Sequence, residues 1–105
     1  MYDVVLLLDV VEHFDKVSGV SLINEAIYVA NKRVVIWIPF GVCPQGPMEA
    51  NPYQVHRSTW LPEDFAGKGT TVEVLPQFHK HFNPPVDAGW VVIEKVGKNE
   101  NRLYV

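Results

Sequence analysis

One cysteine, Cys43, stands in 105 residues. No intrachain disulfide can form, which excludes the small disulfide-stapled scaffolds of oxidising compartments and leaves a reducing cytoplasm as the expected setting. Basic charge is not in excess either: nine Lys and Arg against twelve Asp and Glu give a net charge of -3. The chain lacks the electrostatic footprint on which nucleic-acid binding depends, so nucleic acid is not an expected partner. No apolar run approaches the ~20 residues that span a bilayer, and no basic-then-apolar leader precedes the first apolar segment, so a soluble protein without a membrane partner is expected. There is no internal repeat, low-complexity stretch or linker. What remains is ordinary globular composition, 48% hydrophobic and 20% charged, enough for one domain with a modest core.

The opening segment Tyr2–Leu8, YDVVLLL, is almost continuously apolar and rich in β-branched residues. Such a run reads as a strand buried on both faces, as in the middle of a parallel sheet. From Ser18 or Gly19 to Asn31 the residues Val20, Ile23, Ala26, Ile27 and Ala30 recur at the three-and-four spacing of a helical face, with Asn31 and Lys32 as stop residues. Residues 33–38, RVVIWI, form a second apolar strand closed by Pro39. Strand, helix and strand make a right-handed βαβ unit. Residues 40–60 show no periodicity and carry Gly41, Pro44, Gly46, Pro47 and Pro52; a loop this long in a small domain is usually a lid or binding segment. Pro62, Glu63 and Asp64 open a short helix ending near Gly67, behind the poor cap Leu61. Residues 70–75 alternate like a strand near a sheet edge, 76–88 read as irregular, and 90–94, WVVIE, read as a last strand. The GKNENRLYV ending reads as a turn with a short strand or as a loose tail.

The order β, α, β, long loop, short α, β, loop, β, with DVVEHF after the first strand, resembles the second half of class I S-adenosylmethionine-dependent methyltransferases. Asp9 followed by Glu12 and His13, the strand ending RVVIWIP, and HRSTWLPED before a short helix carry the resemblance, which spans essentially the whole chain. It implies a partial Rossmann-like α/β sheet of about four strands and two or so helices, parallel except for the last strand, which lies antiparallel between its two predecessors. It implies S-adenosylmethionine as cofactor, with Asp9 and the residues after it lining the methyl-transfer side. That family grips its cofactor through a Gly-rich turn after strand one and an acidic residue ending strand two, and neither can be placed here. The close glycine pair, Gly67 and Gly69, precedes a strand, the wrong context for a nucleotide-binding turn. The chain therefore reads as a carboxy-terminal half, inactive without an amino-terminal partner half. The other reading is a dimerising or partner-binding module that has lost catalysis.

Methyl transfer from a sulfonium requires the acceptor held in line with the methyl carbon, and in some cases a base for its proton. The expected catalytic residues are Asp9, Glu12 and His13, just beyond the carboxyl end of the first strand, where open α/β sheets bind ligands. By resemblance, Phe40, His56 and Trp60 would shape the acceptor site. The plainer alternatives are that Asp9 caps the following turn, Glu12 is solvated, His13 bonds to backbone and Trp60 is a packing staple. Cys43, His56, His79 and His81 match no compact zinc spacing, so no metal site is expected. A Cys43 nucleophile served by His56 lacks a third orienting group. If the half fold stands alone, strand Tyr2–Leu8 loses one neighbour, and its open edge is expected to pair with a second copy in a twofold homodimer or with a complementary amino-terminal half.

Overall fold

The computed structural model describes residues 2–41, 56–67, 69–82 and 84–95. These form an α/β unit: a mixed sheet of β1 (Tyr2–Leu8), β2 (Ala30–Phe40), β3 (Thr70–His79) and β4 (Val86–Glu94), in the order β1-β2-β4-β3, with one α-helix, α1 (Lys16–Val29). Two single 3-10 turns, Val11–His13 and Pro62–Phe65, complete it; the second stands where a short α-helix is expected from sequence. β1 runs parallel to β2, while β4 is antiparallel to both β2 and β3 and lies between them.

Helix α1 begins two or three residues before the apolar periodicity does, because Asp15 supplies a cap. Its Oδ1 accepts the Ser18 backbone N–H at 2.9 Å and its Oδ2 accepts the Ser18 hydroxyl at 3.0 Å, which satisfies a helix-end donor that would otherwise lack a partner. The helix does not stop at Asn31 and Lys32. Ala30 closes it through a bond from its N–H to the Ala26 carbonyl and is also the first residue of β2, so those two polar residues are exposed strand positions. Ile23, Ala26 and Ile27 of α1 are buried in one cluster with Leu7, Val34, Ile36 and Ile93 of the sheet. The core therefore lies between α1 and one sheet face.

The reading of β1 as buried on both faces is corrected: only Leu7 in it is buried. β1 is the edge strand of this sheet, and α1 covers only the face that Leu7 shares. The apolar character of the strand is thus unmatched by its surroundings. β2 runs through Pro39 to Phe40. The Trp37 carbonyl accepts the Asp9 N–H at 3.1 Å, so it faces β1; two residues on, the absent N–H of Pro39 faces the same side, past the last β1 pairing at Leu8 with Trp37.

Strands β3 and β4 are also longer than the sequence pattern suggests. β3 continues through Pro76 to His79 by means of an irregularity between Leu75 and His79, which an edge strand tolerates. Gln77 there is left-handed, with φ 54, and its N–H is held by Asp87 Oδ1 at 2.8 Å. Gly89 is a close-approach position: a Cβ on it would lie 2.0 Å from Phe40 Cε2, so the Phe40 ring lies directly over the β4 backbone. No helix among the described residues is long and apolar enough to cross a membrane.

Candidate functional site

The chain leaves β1 through a sharp backbone turn. Asp9 has φ 56, in the left-handed region that Asp enters more readily than most residues and at modest cost. Val11–His13 then form one 3-10 turn at the carboxyl end of the parallel pair, where strand-end ligand sites form. Val11 is fully buried and Glu12 is 2% exposed. The solvated alternative for Glu12 is therefore excluded.

Residues 56–61 are strapped across this turn by backbone bonds. The Glu12 carbonyl accepts the N–H of Arg57 at 2.8 Å and of Ser58 at 3.2 Å, and the Trp60 carbonyl accepts the Gly41 N–H at 2.8 Å. Trp60 anchors the strap from below. It is 1% exposed and stacks on Phe65 with ring centroids 5.4 Å apart, while its Nε1 donates to Ser58 Oγ at 2.8 Å. Lys16 at the start of α1 ties the strap from outside: its Nζ donates to the Thr59 carbonyl at 2.7 Å, pairs with Asp64 at 3.0 Å and lies 4.2 Å from the Trp60 ring centroid. Asp64 in turn accepts the Leu61 N–H at 2.8 Å. The acid at the third position thus makes its half of a capping box, while the Asp64 N–H, for which Leu61 offers no side-chain acceptor, is taken by the Leu61 carbonyl at 2.9 Å.

The strap delivers His56 onto the Glu12–His13 turn. The rings of His13 and His56 meet edge to face at 4.7 Å. His13 Nε2 lies 3.8 Å from Glu12 Oε2, and one ligand atom from each of Glu12, His13 and His56 falls within 4.8 Å of the others. Glu12 Oε1 is buried without a hydrogen-bond partner. Burial pushes the Glu12 carboxyl up to about 7; the peptide hydrogen bond at Glu12 opposes this and the nearby Asp9 charge adds to it. The result is a dry carboxyl beside two imidazoles, able to accept or donate a proton near neutrality or to hold a positive charge.

Of the six residues expected from sequence, the structure brings Glu12, His13 and His56 together. Asp9 stands at the strand end, exposed, close enough for its charge to be felt at Glu12. Phe40 and Trp60 are placed below, as buried packing residues: Phe40 over Gly89 and near Phe65, Trp60 on Phe65. His79, the last residue of β3, and His81 just after it, with rings 6.0 Å apart, sit at the far edge of the sheet and join no three-ligand group among the described residues. Cys43 lies outside the described residues, as do most of the 40–60 loop and the ending after Lys95. The junction of His56 with Glu12 and His13 is not visible in any local spacing, because it closes across more than forty residues. The available signal was the HRSTW segment, whose Ser58 and Trp60 make the bonds that seat it.

Against protein-family models, curated proteins and solved structures, the chain finds no match.

Proposed function

We propose that this chain is the acceptor-side half of an S-adenosylmethionine-dependent methyltransferase fold, with Asp9, Glu12 and His13 at the methyl-transfer end and His56 contributed by the strap. One observation carries the reading. A parallel pair is followed by two strands of which the last is inserted antiparallel between its predecessors, and the polar cluster sits at the carboxyl end of the first. That is the arrangement the sequence resemblance implies. The residues fit only one side of the cofactor. Among the described glycines, Gly19 lies within α1, Gly41 follows β2, Gly67 and Gly69 precede β3, and Gly89 is inside β4. Among the described residues none of these opens a helix after a strand, the setting of a nucleotide-cradling turn, and on this reading the cofactor's nucleoside side is held by residues outside those described. The work assigned to this chain is to orient an acceptor against Glu12 and the two imidazoles and to exclude water through the Trp60-anchored strap.

A second reading is favoured by a separate observation. On edge strand β1, Tyr2 is 67% exposed and Leu6 58%, a hydrophobic edge that invites pairing with a second copy or a complementary half. On that reading the chain is a dimerising or partner-binding module. Calorimetric titration of the chain with S-adenosylhomocysteine separates the two. Saturable heat in the millimolar range or tighter, abolished by Asp9→Ala, is the outcome expected for the methyl-transfer half. The absence of heat at millimolar ligand overturns cofactor binding by this chain on its own, and favours a fragment that needs its completing half or the module.

A further inference from the structure

The Glu12 side chain poses a physical problem that acid-base chemistry alone does not resolve. It is 2% exposed, and Oε1 has no hydrogen-bond partner. A buried carboxyl with an unsatisfied oxygen destabilises the fold, and the oxygen is left for a ligand to meet. The groups around it are imidazoles from two separate segments, His13 on the same turn and His56 on the strap. The strap is fastened to that turn through the Glu12 carbonyl itself, which accepts from Arg57 and Ser58. The backbone bonds therefore hold the two segments that carry the three side chains together before any ligand arrives, part of the preorganisation a metal site needs.

We propose that Glu12, His13 and His56 bind one divalent first-row transition-metal ion of the zinc class, with coordination positions left open on the solvent side. The donor set selects the class. Two imidazole nitrogens and one carboxylate oxygen suit zinc, cobalt, manganese or iron, whereas magnesium and calcium prefer oxygen cages. Three protein ligands with an open position are also the pattern of catalytic rather than structural sites. Ligand atoms of the group lie within 4.8 Å of one another, and His13 Nε2 is 3.8 Å from Glu12 Oε2. Zinc–ligand bonds of about 2.0–2.2 Å hold ligand atoms about 3.5 Å apart, so the side chains must close by about 1 Å, which torsion about their own bonds supplies. The exposed carboxylate of Asp9 adds negative potential on the approach side. The inference stands whether or not the chain serves methyl transfer; where it does, the open positions would orient an oxygen or nitrogen acceptor.

The test uses the untagged chain, stripped with a chelator and titrated with Co2+ followed by visible absorption, and with Zn2+ followed by calorimetry. One ion per chain is expected, with ligand-field bands that Zn2+ displaces. Glu12→Gln and His56→Ala should each weaken binding by more than the ~10–100-fold typical of losing an outer-shell partner, while the His79→Ala/His81→Ala double variant should bind as the parent does. Proton NMR of the Co2+-loaded parent gives a readout independent of any variant: the imidazole resonances of His13 and His56 should be paramagnetically shifted and those of His79 and His81 should not. No binding at millimolar metal, binding that survives His56→Ala, or shifts confined to His79 and His81 would each overturn the proposal.

Discussion

Glu12 shows how one buried acid couples local geometry to the stability of the whole chain. Its carboxyl titrates at about 7 in the fold against an ordinary value of 4.5, desolvation being the main cause. Because the folded value is the higher one, the native state holds the proton longer than the unfolded chain, and unfolding releases it between these two values. Stability must therefore fall as pH rises from about 4.5 to about 7 and level off above, by at most about 3 kcal/mol. Glu12→Gln keeps the shape and removes the charge. In chelator-containing buffer at pH 8 the variant should melt higher than the parent, and at pH 4 the two should converge. Urea titrations at the two pH values check this; an equal or lower stability of the variant at pH 8 would mean that the carboxylate is paid for by a partner the fold provides. Asp15 acts in the opposite sense. Its carboxylate is held below the ordinary range by the Ser18 N–H and hydroxyl, so its contribution is present at neutral pH and is lost as pH falls through that lowered value.

At the scale of elements, α1 and the strap are fitted through a missing side chain. Gly19 lies in the helix, and a Cβ there would meet Trp60 at 2.8 Å and the Val11 side chain at 3.2 Å. Helix propensity alone favours Gly19→Ala by up to about 1 kcal/mol. The Trp60 ring cannot yield, since Phe65 stacks on it and Ser58 holds its Nε1, so overpacking of about 1–3 kcal/mol outweighs the gain. The substitution should lower the melting temperature by roughly 5–10 °C, read by calorimetry, and should loosen the strap enough to speed hydrogen exchange at Arg57 and Ser58. An unchanged or raised melting point would show that Trp60 is not seated against the helix. The same contact explains what could be read in advance. Periodicity located α1 and the apolar strands, because those patterns are local. It put the helix start at Ser18 or Gly19 because the cap residue Asp15 is polar and lies before the periodic run. It truncates β3 because Pro76 and the exposed Gln77 and Phe78 look like loop; they form the irregularity after which His79 resumes the pairing, with Val86 of β4. Glu12, His13 and His56 each stand out in the sequence as residues, but their meeting is not legible there, since it depends on where a long connection lands.

At the scale of the molecule, the sheet has one face covered by α1 and another that is not. Register aligns Leu8, Trp37 and Trp90 across β1, β2 and β4, and Leu6, Val35 and Val92 two pairs further along on the same face. Leu6, Leu8 and Trp90 in these rows are exposed, and the apolar face runs out to the open edge. The Asp9 N–H points toward β2, so strand alternation turns the peptide groups of Leu8 and Leu6 away from the sheet. An edge with outward peptide groups and apolar side chains is a template for another strand. Two copies related by a twofold axis can join their β1 strands antiparallel into one sheet, burying the Leu6 rows of both. The chain alone should therefore sediment as a dimer at tens of micromolar. Leu6→Lys, which places a charge at the middle of the shared edge, should give a monomer with an unchanged circular dichroism spectrum, because Leu6 lies outside the α1 core. A complementary amino-terminal half would compete for the same edge, so its addition should convert the homodimer into a one-to-one complex and leave Leu6→Lys unresponsive. A monomeric parent under those conditions would show that the open edge is closed by the chain itself, and both the dimer and the complementary half would have to be given up as occupants of β1.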